Sequence, residues 1–222
     1  MNISSKIGSL CKKSESGKTL IKICGMTTPD DMGYANLYMP DLIGCVMYFP
    51  KSKRYISPER AKDLLDRLSP HILSVAVTVS PTPDQVKTIE DLGFDMIQVH
   101  GVLTDEVYDM ASIPIFRAFN VSDLDEYDRI RQLEKIAGYV FDSKSPGSGK
   151  TFDWNLLKRI DRDDKLWFLA GGINEKNVRE AIDCTRPDGI DVSSAVEWDD
   201  GIHHGKDPEK IKNIIRMVHN EE

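Results

Sequence analysis

The residues able to move protons or grip anions are concentrated in a few short stretches of the chain. Lys22 and Cys24 stand two apart in the run Leu20 to Met26, so an extended strand sets both on one face. A cation beside a thiol favours the thiolate, the form of cysteine that acts as base or nucleophile. Asp142 and Asp191 lie within two further apolar runs and offer carboxyls for acid–base work. Arg54 supplies a guanidinium fork suited to a planar carboxylate, although spacing alone does not separate it from Lys51 and Lys53. Gly171-Gly172 and Ser193-Ser194 present backbone N–H groups to which a phosphate can bind without side-chain obstruction. His100 closes another apolar run. Each of these residues also has a plainer reading. Cys24 can be an inert core thiol, Asp142 a partner of Lys144 on its own strand face, Arg54 a solvated loop cation and His100 a hydrogen-bonded structural histidine.

The elements that must carry these groups are visible as alternation. Strand-like runs cover Leu20–Met26, Asp41–Tyr48, Ile72–Val79, Met96–Gly101, Pro114–Val121, Tyr139–Lys144, Leu166–Gly172 and Gly189–Val196. Most are rich in Val, Ile, Leu or aromatics, as strands buried on both faces require. Amphipathic charged runs lie between them, opened by Ser57-Pro58, Thr82-Pro83, Asn174 to Asn177 and Asp207-Pro208. Eight strand–helix pairs predict a single-domain (β/α)8 TIM barrel over residues 20–222. An open doubly wound sheet is the competing reading, but the first strand is not followed by G-x-G-x-x-G. In a barrel, functional groups gather beyond the C-terminal strand ends, where the residues above fall.

Composition narrows the class further. The 222 residues are 40% hydrophobic, enough for a sizeable core, and carry a formal charge of −7 without a long basic run. Nucleic acid and anionic membrane are therefore not expected as partners. No apolar stretch reaches the ~18 residues of a spanning helix. Residues 1–19 are polar and Lys/Ser-rich, and read as a frayed N-terminal extension rather than a secretory signal. Cys11, Cys24, Cys45 and Cys184 lie far apart with no metal-ligand spacing, as in a reduced cytoplasmic protein. Cys45 and Cys184 read as inert, and Cys11 as an exposed bystander. His203-His204 reads as part of a solvated loop rather than a metal site.

Several stretches also carry a family resemblance. They are Lys22 to Gly25, Tyr48 to Pro58, Gln98 to Gly101, Phe141 to Lys144, Gly147 to Trp154, Ala170 to Asn174 and Asp191 to Ser194. Together, over about Leu20 to Val218, they resemble phosphoribosylanthranilate isomerase of tryptophan biosynthesis. The runs Pro50-Lys51-Ser52-Lys53-Arg54-Tyr55 and Gly149-Lys150-Thr151-Phe152-Asp153-Trp154 are the most specific part.

The resemblance implies an Amadori rearrangement of N-(5'-phosphoribosyl)anthranilate, with no metal and no cofactor, in a cytoplasmic monomer or homodimer. It makes Asp142 the general acid that opens the furanose ring and Cys24 the general base. Arg54 then holds the anthranilate carboxylate, and Gly171, Gly172, Ser193 and Ser194 hold the phosphate. Asp191 meets a ribose hydroxyl, and His100 lines the site. An unperturbed Asp is protonated only about once in 10³ at pH 7, a cost of roughly 4 kcal/mol, so Asp142 needs an environment that raises its pKa. A thiol likewise needs electropositive help. Two departures stand out: Ala195 replaces a glycine, threatening a turn that needs φ > 0, and Pro146 replaces a frequent glycine in the loop after Asp142. Two other readings remain open: another phosphosugar barrel enzyme, or a sugar-phosphate-binding barrel without catalysis.

Overall fold

The eight apolar runs become the parallel strands of a closed barrel in the computed structural model, which describes residues 3–120, 124, 126–143 and 151–220. In chain order they are β1 (Leu20–Cys24), β2 (Leu42–Val46), β3 (Leu73–Val79), β4 (Met96–His100), β5 (Ile115–Asn120), β6 (Ile136–Asp142), β7 (Leu166–Leu169) and β8 (Gly189–Val192). Neighbours in sequence pair, and β8 closes onto β1 with Lys22 opposite Asp191. The (β/α)8 barrel is therefore the observed fold, and the open sheet is excluded.

Strand alternation divides the core in two. Leu20, Leu42, Leu73, Val75, Met96, Phe116, Val140, Leu166 and Phe168 belong to the cluster that fills the barrel. Their neighbours Ile21, Ile23, Ile43, Ala76, Ile97, Tyr139 and Leu169 face the helices. Burying each large side chain contributes about 1.5–3 kcal/mol. Lys22, although charged, occupies an inward position and is fully buried.

The surrounding helices are α1 (Ile3–Glu15), α2 (Pro29–Tyr38), α3 (Pro58–Leu65), α4 (Pro83–Leu92), α5 (Asp105–Met110), α6 (Tyr127–Ile130), α7 (Val178–Thr185) and α8 (Pro208–His219). Ser57, Thr82 and Asp207 cap α3, α4 and α8 with their side chains, each followed by Pro in the first turn. Among the described residues between β6 and β7 lies a 3-10 helix, Trp154–Arg159. Lys144, Pro146 and Gly147 to Lys150, to which the sequence drew attention, lie outside the described residues.

One expectation needs correction. The N-terminal stretch read as a frayed extension holds α1, which packs against the barrel floor. Leu10 is buried with the inward cluster, and Ile7 and Cys11 pack beside it. Lys13 pairs with Asp41 at 2.5 Å, and the Ser14 hydroxyl donates to Asp188 at 2.5 Å. Cys11 is accordingly half-buried rather than exposed. Ile7, Leu10 and Cys11 stand three and four apart and so share one helical face, a short periodic signal that the polar composition of the stretch masked.

Candidate active site

The C-terminal strand ends open on a cavity of about 480 Å³, within the usual range for small-molecule sites. Cys24, Arg54, His100, Asp142, Gly171, Gly172, Asp191, Ser193 and Ser194 all line it. Residues from six of the eight strand ends or their loops thus share one space. A wider groove lies at the opposite face, between α1 and the segment around Met110 and Lys135, remote from these groups.

Lys22 organises the cleft floor. Its Nζ donates to Asp191 Oδ2 at 2.8 Å, in a pair almost entirely out of water, and its positive charge also acts on the Cys24 thiol. Burial alone would lower the Lys22 pKa, but Asp191 and Cys24 together raise it and keep the ammonium charged. Gly44, across from Cys24 on β2, leaves room for this meeting. A Cβ there would lie 3.0 Å from the Cys24 sulfur and 3.1 Å from Lys22 Nζ.

The electrostatics agree only partly with expectation. Lys22 does favour the thiolate, yet burial, helped by the charge of Asp191, pushes the Cys24 pKa above its ordinary value in the ligand-free protein. The Asp142 pKa is pushed up to about 6, first by burial and then by Asp191. The Ser143 backbone N–H, donating to Asp142 Oδ1 at 2.7 Å, and the more distant Lys22 oppose this shift. At pH 7 about one Asp142 in ten then carries a proton, which cuts the population cost to roughly 1.4 kcal/mol.

Burial, Lys22 and Arg117 lower the His100 pKa to about 4, so its ring is neutral. The Gln98 amide donates to His100 Nε2 at 2.9 Å, which leaves the ring proton on Nδ1. Among the described residues, Gln98 Oε1, Asp191 Oδ1 and Arg54 Nη2 are buried without a partner. Such orphans are costly unless a ligand satisfies them.

Arg54 reaches the cleft over Gly25, whose φ of +80° and missing Cβ are both required: a Cβ would fall 2.4 Å from Arg54 Cδ. Its Nε donates to Glu197, a residue beyond β8. Burial would raise the Glu197 pKa, but Arg54, Lys206 and Lys53 bring it down to about 2. Gly171 and Gly172 both take left-handed φ, +82° and +70°. Asn174 and Asn177 amides hold the Gly172 carbonyl at 2.9 and 3.0 Å. The Ser193 hydroxyl donates to the Cys24 carbonyl at 2.9 Å, tying the β8 turn to β1.

The feared strain at Ala195 is absent. It lies in a 3-10 turn, Ser194–Val196, and does not take a positive φ. Cys45 is fully buried, as expected for an inert thiol. His203 Nδ1 meets Asp200 Oδ2 at 2.5 Å on an exposed loop, and His204 is also exposed. Among the described residues no group of three or more His, Cys, Asp or Glu is placed to hold a metal ion.

Asn120, which lines the cavity at the end of β5, and Glu197 and Lys206, which stand behind Arg54, escaped the sequence reading, and Gln98 was noticed only as a strand end. Gln98 and Asn120 were detectable as polar residues at inward positions near strand C-termini. Glu197 and Lys206 carry no local signal, since only folding brings the ends of their loop together.

Fold and site together define a (β/α)8 barrel whose upper cleft pairs a thiol and a carboxyl, with a guanidinium and two Gly/Ser turns around them. Residues 21–217 match the family model described as N-(5'phosphoribosyl)anthranilate (PRA) isomerase. The N-(5'-phosphoribosyl)anthranilate isomerase of Clostridium kluyveri is 40% identical over 209 residues, covering 90% of this chain and 98% of its own. That of Thermoanaerobacter pseudethanolicus is 37% identical over 204 residues, covering 89% and 97%. The crystal structure of the Thermotoga maritima phosphoribosyl anthranilate isomerase superposes with a TM-score of 0.77 at 34% identity, covering 91% of this chain and 99% of that one. A phosphoribosyl anthranilate isomerase in complex with reduced 1-(o-carboxyphenylamino)-1-deoxyribulose 5-phosphate gives a TM-score of 0.76 at 32% identity, with coverage of 91% and 99%. The chain belongs to the N-(5'-phosphoribosyl)anthranilate isomerase family.

Proposed function

We propose that this protein converts N-(5'-phosphoribosyl)anthranilate to 1-(2-carboxyphenylamino)-1-deoxyribulose 5-phosphate, the Amadori step of tryptophan biosynthesis, in the cytoplasm. Asp142 donates a proton to the furanose oxygen as the ring C–O bond breaks, leaving an iminium at C1. Cys24, as thiolate, removes the C2 proton. The C–H electrons form the C1–C2 double bond and the iminium pair returns to nitrogen. The resulting enolamine tautomerises to the ketone. Electrons are redistributed within the substrate, so the step balances without an oxidant or a cofactor.

The observation that carries this reading is the shared cleft of Cys24 and Asp142, with the Asp142 carboxyl pushed up to about 6. Lys22 is beside the thiol, where charge develops on proton removal. The buried, unpartnered Nη2 of Arg54 suits the anthranilate carboxylate. The Gly171-Gly172 and Ser193-Ser194 turns occupy the loops after β7 and β8, the usual phosphate position in such barrels, and Asp191 Oδ1 is available to a ribose hydroxyl.

The test follows the fluorescence of phosphoribosylanthranilate generated in situ. Wild type consumes the signal. Asp142→Asn and Cys24→Ser each lose about 10²-fold or more in kcat, whereas Arg54→Ala mainly raises KM. Undiminished turnover by Cys24→Ser removes the thiol from the base role. Binding of anthranilate phosphates with no turnover by wild type favours a non-catalytic sugar-phosphate barrel.

A further inference from the structure

The loop between β8 and α8 leaves at Glu197 and returns at Lys206, and an antiparallel bridge pairs these two residues at its base. Lys206 has no solvent exposure. Its backbone N–H donates to Asp31 Oδ1 at 2.8 Å, and Asp31 in turn caps the start of α2. Gly205 permits this closeness, since a Cβ there would fall 2.5 Å from the same oxygen. A fully buried lysine is expensive to keep charged, and the anchoring just described uses only its backbone. The ammonium must have another use.

It touches two groups. Lys206 Nζ donates to the Ser193 carbonyl at 3.1 Å and lies 3.4 Å from Glu197 Oε1. That same Oε1 accepts from Arg54 Nε, while Lys53 takes the other oxygen at 2.7 Å. One ammonium therefore spans the start of the Ser193-Ser194 turn and the carboxylate that aims Arg54. Glu197 grips Arg54 from behind and leaves Nη2 for a ligand, and the positive charge of Lys206 offsets the negative charge of this grip.

We propose that Lys206 is a positioning residue that couples the carboxylate-binding end of the cleft, through Glu197 and Arg54, to its phosphate-binding turn, through the Ser193 carbonyl. The inference rests on the substrate assignment above for the identity of the two anionic groups. It makes the substrate's two ends interdependent: a phosphate seated on the turn stiffens the support of Arg54, and the reverse.

The experiment uses the full chain, inorganic phosphate and anthranilate as separate binding probes, and phosphoribosylanthranilate turnover. Lys206→Met keeps length but removes charge. It is expected to weaken both probes and raise KM about tenfold, while kcat changes less than about threefold. Glu197→Gln is expected to weaken anthranilate directly and phosphate only through Lys206, so it has no further effect on phosphate in the Lys206→Met background. Lys206→Arg, which restores charge and donors, should recover most of the KM loss.

A loss confined to thermal stability, or to kcat with KM and both probe affinities unchanged, overturns the proposal. If Lys206→Met does not fold, Glu197→Gln decides: unchanged anthranilate affinity and KM overturn it equally. Wild-type protein without turnover would remove the assigned reaction, while the paired probe affinities would still test the coupling.

Discussion

At the residue scale, the proposed acid and base are both shifted above their ordinary pKa values. The Asp142 pKa is pushed up to about 6 and that of the Cys24 thiol is raised further above it. The proposed reaction needs a protonated carboxyl and a thiolate, which is the minority arrangement at every pH between the two values. The sign of the pH dependence follows. Below about 6 the carboxyl is already protonated and the thiolate grows tenfold per unit, so kcat/KM rises with pH. Between the two values the gain in thiolate cancels the loss of protonated carboxyl, giving a plateau. Above the thiol value activity falls. Wild-type kcat/KM should therefore bend near pH 6, and the residual activity of Asp142→Asn should lose that bend. A wild-type profile falling from pH 5 to 7 would contradict the assignment.

A second prediction at this scale concerns Gly44. Alanine there crowds the Lys22 ammonium and the Cys24 sulfur, at 3.1 and 3.0 Å, so that each must give by a few tenths of an ångström. Separating them weakens the stabilisation of the thiolate. Gly44→Ala should lower kcat at pH 7 about tenfold and move the alkaline limb upward, with melting temperature checked alongside. An alkaline limb that stays in place would show that Lys22 does not tune the sulfur.

At the element scale, strands and helix starts were largely legible. The Val-rich run of β3 and the Thr82-Pro83 cap of α4 are local, because β-branched residues and side-chain caps act within a few residues. Strand alternation likewise placed Lys22 and Cys24 together on one face of β1. The loop elements were not legible in the same way. Glu197 and Lys206 are separated by an exposed excursion, and nothing nearby in sequence announces that they pair. Nor did the polar composition of the N-terminal stretch announce α1, whose few apolar residues matter only because a barrel floor lies beneath them.

At the scale of the whole molecule, α1 is part of the barrel's packing. Leu10 joins the cluster inside the barrel at its N-terminal mouth, opposite the cleft. Leu10→Ala should cost about 2 kcal/mol and lower the melting temperature by roughly 4–8 °C, read by thermal circular dichroism. Because the cleft lies at the other end, KM and kcat at 25 °C should be unaffected. An unchanged melting temperature would show that α1 contributes no packing.

Taken alone, the sequence determined the alternating elements, the barrel, the family and the set of polar residues at the strand ends, since each depends on short-range pattern or on specific runs such as Pro50 to Tyr55. Tertiary structure alone decided the charge states and the connections. Asp142 is shifted by burial and by a carboxylate 49 positions away in sequence, Lys22 is shared between Cys24 and Asp191 across the β1–β8 seam, and Lys206 meets Glu197 and Ser193. Electrostatic energy depends on distance and on exclusion of water, and neither quantity exists until the chain has closed.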